Sequence, residues 1–369
     1  MAGTSNEVGW KGARMSITGR TRIAFILTLA VGAGGAAAAD DIPRTPGGKP
    51  NFSGNYDISH LTPIERNPEL GERLTLTEEE ADQIRRREAR NIETRSRASD
   101  PNREAPPAGG NIGAYNYFFM DRGTSAVKVD GKYRTSVLTD PPNGRFPPLT
   151  ERGKARREGL YGFSKRNTGP AWWRDREVGP YDDPESLSIA DRCVFSLEAT
   201  IPIYSKSYNN IKTIVQTDTH LLILIEWMHY ARIIPISPSR EAAMHLPETI
   251  RSRAGDSVAW WEGDTLVIDT TNFLEEKWIA TTLFREPSPP ADQHVIERFS
   301  FQDPDTLLYQ FTLESGDWET PYSGEYTWPA TDDKLYEFAC HEGNYATGNT
   351  LRGARFEERQ MAAEATGGP

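Results

Sequence analysis

The chain is poor in the residues and runs that announce common chemistries. Only two cysteines occur, Cys193 and Cys340, so there is no C-x-x-C pair. There is no G-x-S-x-G elbow, no P-loop, no H-E-x-x-H and, beyond the N-terminal leader, no dinucleotide-binding glycine fingerprint. These absences remove the most easily recognised reactions while leaving enzymes in general open. Basic charge is also short: 42 Lys and Arg stand against 53 Asp and Glu, a net charge of −11. That average repels DNA and other polyanions, because nucleic-acid affinity rests on basic patches that neutralise phosphates. Beyond the first forty residues no apolar run approaches the length of a membrane span.

Residues 1–39 read as a signal peptide. Arg20 and Arg22 flank an apolar run from Ile23 to Val31, and a small-residue stretch leads to Asp40. This is the order of a secretory leader, with cleavage expected after Ala39 and Met15 as an alternative start. The rival reading, an uncleaved anchor, fails on length, since the apolar part is too short for about 30 Å of hydrocarbon. Removing a leader with four basic residues and one acid leaves 38 basic against 52 acidic residues, a balance of −14. No membrane insertion is expected after cleavage. In a periplasmic or secreted setting Cys193 and Cys340 are expected to form one disulfide, with two buried thiols as the alternative.

The rest divides into residues 40–189, a helix, hairpin and loop region; 190–358, an antiparallel β core; and 359–369, a flexible tail. In the first part NFSGNYDIS suits a short strand. Thr77 followed by Glu80 has capping-box spacing, with acids at the start of the helix and arginines behind them. Residues 98–112 read as loop, YNYFFM as strand, Asp130-Gly131 as a hairpin turn, and Thr150–Leu160 as a second short helix. Residues 165–190 read as irregular. From Tyr208 onward strand patterns succeed one another: IKTIVQTD, HLLILIEWMHYARIIPI, VAWW, TLVIDTT, HVIERFSF, TLLYQFTL, GEYTWPA and KLYEFAC. Short Asp-, Gly- and Pro-bearing turns join several of them. The expected fold is mainly β, an antiparallel meander closing into a lipocalin-like barrel or sandwich, with the N-terminal extension packed on it.

Two polar concentrations stand out. If residues 220–236 form one strand, His220, Glu226 and Arg232 share a face, and Trp227 and His229 share the other. Glu226 and Arg232 in an apolar strand need partners, as a structural ion pair or as a ligand-holding pair. The second concentration runs from Cys340 through His341, Glu342, Gly343 and Asn344 to Tyr345. His341 suits a general acid or base and Glu342 its orienting partner. The bland reading is a tethered loop with satisfied polar groups. A disulfide would also carry Arg192 near His341 and Glu342, where it suits an anion. His245 reads as a satisfied lone histidine. Trp172, Trp173, Tyr230, Trp260 and Trp261 are core aromatics or pocket walls.

With DRGTSAVKVDGKYRTSVLTDPPNGRFPPLT, IVQTDTHLLILIEWMHYARIIPI, GDSVAWWEGDTLVIDTTNF and YEFACHEGNY in hand, the chain resembles a large family of exported bacterial proteins with no agreed reaction. The likeness runs from about Asn51 to Glu358. It departs after Ile236, where SPSREAAMHLP replaces a D-G-R-P-H-L-like turn and only His245 and Leu246 match. The resemblance implies export and one co-folding unit. It adds weight to Arg122, Arg192, Glu226, His229, Arg232, His341 and Glu342.

The expectation drawn from all this is an exported lyase, hydrolase or isomerase that uses no cofactor or metal. It would act by acid–base chemistry on a small apolar or aromatic molecule. His341, Glu342 and His229 would be catalytic. Arg192, Glu226, Arg232, Arg122, Trp261 and Tyr345 would bind substrate. The alternatives are a periplasmic small-ligand binding protein without turnover and an envelope interaction module.

Overall fold

Alternating apolar and polar residues in the second half of the chain produce strands with one face inward. A computed structural model of the protein describes residues 42–98, 102–104, 120–164, 171–175, 181–195, 201–275 and 289–366. The leader and most of YNYFFM lie outside the described residues. Strands β8 (Asp256–Glu262), β9 (Thr265–Thr271), β10 (His294–Asp303), β11 (Thr306–Glu314) and β12 (Tyr322–Pro329) follow one another as an antiparallel meander. Val295 and Phe299 of β10 and Leu307, Phe311 and Leu313 of β11 are buried at every second position, as the strand repeat of two requires.

The N-terminal part enters the sheets directly. β4 (Leu138–Asp140) pairs with β12, giving a six-stranded sheet in the order β4-β12-β11-β10-β9-β8. β1 (Gly54–Asp57) pairs with β5 (Ile211–Gln216), which is followed by β6 (His220–Ile225) and β7 (Tyr230–Pro235), giving a four-stranded sheet in that order. Asp130-Gly131, both left-handed, turns the short hairpin of β2 (Lys128–Val129) and β3 (Lys132–Tyr133) as its sequence dictates.

The fold is thus mainly β and antiparallel, but the ladders do not close into a continuous barrel. The two sheets meet at single bridges, Tyr56 with Ala330 and Ile236 with Ala259. Between the sheets lies one apolar core with Phe52, Ile214, Ile223, Phe299, Tyr309 and Trp328 inside it.

Three elements differ from the sequence expectation. Residues 220–236 are a hairpin, because a 3-10 turn at Trp227–His229 reverses the chain between β6 and β7. KLYEFAC forms no strand: residues 334–339 run as an irregular strap. Residues 359–365, expected as flexible tail, belong to the helix α3 (Tyr345–Ala365). The other helices, α1 (Glu78–Arg95) and α2 (Glu151–Ser164), lie close to their expected places. Thr77 and Glu80 make both capping-box hydrogen bonds of α1. Among the described residues no helix is long and apolar enough to cross a membrane.

Candidate functional site

The polar groups that converge on open space lie where β1 and β5 begin and end. β1 delivers Asp57 and then the chain passes through Ser59 and His60. Ser59 gives Asp57 two hydrogen bonds, from its amide at 2.8 Å and its hydroxyl at 3.0 Å. Asp121 arrives on a loop fixed to the chain before β5, since its amide donates to Ser207 O at 2.8 Å. The buried Asn210 amide group donates to the carbonyls of Asp121 and Lys206.

Asp57 and Asp121 stand at the junction of two cavities. One, of about 570 Å³, is also walled by Tyr208, Glu226, Tyr336 and Phe338. The other, of about 520 Å³, is also walled by Ser59, His60, Thr124 and Thr327. A third, of about 410 Å³, shares His60 with the second and Tyr208 with the first. Together they form one groove of the scale that small-molecule sites occupy.

Charge in this groove is perturbed for identifiable reasons. Burial raises the Asp121 carboxyl above the usual range, and the neighbouring charge of Asp57 raises it further. Lys212, on β5 behind the cavity wall, is 3 % exposed. Burial pushes its ammonium down to about 7, against the pull of Glu226, Asp57 and Asp121. Its amine donates to the carbonyls of Asn209 at 3.0 Å and Ile211 at 3.3 Å. His60 is pushed down to about 4 by burial, so its imidazole is neutral at pH 7. Neither of its ring nitrogens makes a hydrogen bond of normal geometry.

The residues singled out from sequence are scattered by the fold. Glu226 is buried in the cavity wall and accepts from the amides of Ile211 at 3.3 Å and Tyr336 at 3.4 Å. Arg232 does not pair with it. Its guanidinium lies in the core, bonded to Glu297, Ser257 and Thr270, and Tyr309 donates to the same Glu297 at 2.9 Å. A buried pair held on all sides in this way is structural, and removing either partner would strand the other charge. His229 sits on the turn after Glu226, its Nε2 placed 2.9 Å from Tyr336 O and 3.1 Å from Phe338 N. It therefore anchors the strap that walls the cavity.

Cys193 and Cys340 are bonded. Beside the bond Arg192 pairs with Glu185, while His341 and Glu342 occupy an exposed turn before α3. Tyr345 is 74 % exposed at the start of that helix. Trp261 stacks on Phe52 at 5.6 Å, beneath Lys49, away from the groove residues. Arg122 does line the groove, in its third cavity. Asp57, Asp121, Lys212 and His60 were missed by sequence reasoning. The one available signal was a lysine inside the apolar run IKTIV.

A second polar row crosses the outer side of the larger sheet. His245, far from a lone histidine, bonds Asp256 at 2.9 Å and Asp269 at 3.2 Å. His294 bonds the same Asp269 oxygen at 2.9 Å and Glu314 at 2.7 Å. Donating to Asp269 and Glu314 raises His294 to about 9, and donating to Asp269 and Asp256 raises His245. Burial alone would raise Asp269, but the two imidazoles overcome it and hold that carboxyl well below the usual range. No cavity at this row is among those that form the groove. Among the described residues no group of three or more His, Cys, Asp and Glu side chains is arranged to hold a metal ion. In comparisons with known proteins, no family model and no curated sequence matches the chain.

Proposed function

We propose that the protein is an acid–base enzyme, a lyase, hydrolase or isomerase, acting on a small molecule with an apolar or aromatic body in the Asp57–Asp121 groove. One observation carries the reading: two carboxylates share a cavity junction, and burial and mutual charge raise the proton affinity of Asp121. Of two neighbouring carboxylates, the one whose proton affinity is raised suits the acid and the other suits the base. Asp121 is the proton donor. Asp57, supplied with two hydrogen bonds by Ser59, is the carboxylate that accepts a proton or steadies positive charge. Lys212 acts through them as a buried tuning charge. Tyr208, Tyr336 and Phe338 hold the apolar body. The roles first given to His341 and Glu342 move to these groups, because the exposed turn before α3 offers no enclosure.

The leader of residues 1–39 and the Cys193–Cys340 bond support export to an oxidising periplasmic or extracellular setting. The two sheets, bridged at both seams, support a lipocalin-like reading in which the groove is the mouth of an incompletely closed barrel.

The test is a thermal-shift screen of the chain from Asp40 onward against small aromatic and apolar metabolites, followed by product analysis of each hit. A ligand that stabilises the fold binds the native state. Asp121→Asn is expected to lower turnover by about 10²-fold or more while leaving the fold intact. A fully active Asp121→Asn enzyme would reject the assignment. Glu226, with both oxygens already taken by backbone amides, favours a second reading, ligand binding without turnover. Hits recovered intact would select it.

A further inference from the structure

The third cavity differs in charge from the rest of the groove. The walls of the first bring together Asp57, Asp121, Glu226 and Asp333. The third, of about 410 Å³, is lined by Arg122 and Lys206 and by no acidic side chain. This stands out in a chain of net charge −11. Lys206 is half-buried and Arg122 is exposed, and neither forms an ion pair with a carboxylate among the described residues. Two cations on one cavity wall without a counter-ion make a positive field there that attracts an anion. Thr62, Ser205 and Ser207 line the same space.

His60 gives a second, independent observation. Both its ring nitrogens are buried and make no hydrogen bond of normal geometry, only looser approaches to the backbone of Thr62 and of His60 itself, and the ring lines this cavity as well as the one holding Asp57 and Asp121. Its edge packs on Tyr326 at 5.2 Å, which fixes its plane. A buried polar group left unmatched by the protein points to a partner from outside.

We infer that the Arg122–Lys206–His60 cavity is an anion subsite that holds a carboxylate or phosphate of the ligand while the ligand's body reaches the Asp57–Asp121 junction. This inference rests on the groove being the functional site and names its substrate class: a small anionic molecule with an apolar or aromatic body. Arg122 and Lys206 supply charge, and the neutral His60 ring supplies one N–H donor. The shared Tyr208 wall links the anion subsite to the cavity of Glu226 and Phe338.

Binding of benzoate, phenyl phosphate, inorganic phosphate and benzyl alcohol to the chain from Asp40 onward tests it, followed by NMR of the His60 imidazole. Benzoate or phenyl phosphate should bind at least about tenfold more tightly than benzyl alcohol, with an affinity that falls as salt rises. The preference between the two tells a carboxylate from a phosphate site, and inorganic phosphate shows whether the anion alone suffices. Arg122→Gln with Lys206→Gln should weaken the anions about tenfold, whereas Arg122→Lys with Lys206→Arg should retain them. The His60 ring signals should move on anion binding in the wild-type chain and stay fixed with benzyl alcohol. No anion binding up to about 10 mM, equal affinity for benzyl alcohol, or unchanged affinity in the double glutamine variant would overturn the inference. Asp121→Asn should keep the anion affinity. Lost turnover with anion binding intact therefore bears on the acid–base reading, and lost anion binding bears on the subsite.

Discussion

An ideal Cβ on Gly123 would fall 2.7 Å from the His60 amide nitrogen and 2.7 Å from the Ser59 carbonyl carbon, and its φ of +72° favours glycine. The groove floor at His60 thus depends on one missing side chain. Gly123→Ala is expected to destabilise the fold by about 1–3 kcal/mol in urea unfolding. It should also weaken every groove ligand, because the loop carrying Asp121 must move away from His60. At this scale the sequence is only partly legible. Arg232 in an apolar strand announced that it needed a partner. Which partner was hidden, because Glu297 lies 65 residues further on and meets it only through the sheets. Asp57 and Asp121 looked like ordinary loop acids, since their closeness is created by the pairing of β1 with β5 and by the Asn210 clamp. His341, beside a cysteine and a glutamate, looked more chemical than its exposed setting allows.

The row from Asp256 through His245, Asp269 and His294 to Glu314 ties the chain before β8 to four neighbouring strands. Both imidazoles have raised proton affinity, so their contribution to stability is complete below the ordinary value of 6.5. It is lost as pH rises through about 9 for His294. The wild-type chain should therefore lose stability between about pH 6.5 and pH 9, by about 1 kcal/mol after allowance for screening at half-exposed groups. Asp269→Asn should flatten that slope in denaturant titrations across the interval. An identical slope in the variant would show that the row does not act as described. Elements differ in how far their sequences predict them. Asp130-Gly131 dictates its own turn. Glu226 to His229 does not, because Met228 and His229 adopt φ of +58° and +48° without glycine or asparagine. Tertiary packing imposes that turn, with Trp227 held against Tyr208 and Phe338 at 4.7 and 5.2 Å. The strap at 334–339 resembles a strand in composition, yet Glu226 and His229 satisfy its amides in place of a ladder.

Across the molecule, the alternation of β8 to β12 makes the antiparallel β class legible, and the even turns make the meander legible. The division into two sheets is not, because it depends on β1 and β4 crossing from the N-terminal part to edges made much later. The cysteine pair was legible from its count and from the compartment expected of the leader. Its bond spans 147 residues. Cys193→Ser with Cys340→Ser is expected to lower unfolding free energy by up to about 5 kcal/mol, measured beside the wild type with and without reductant. Equal stability of all samples would mean that the loop is constrained without the bond. The same long-range architecture sets an order of events. Gly54 waits for Ile214, and Leu138 waits for Gly324. A chain emerging from a ribosome must carry β1 unmated until β5 is free, and β4 unmated until β12, the last sheet strand, is free. Pairing so distant slows folding and leaves strand edges open to wrong partners. Release of β12, rather than of any local segment, is therefore the event that completes the larger sheet.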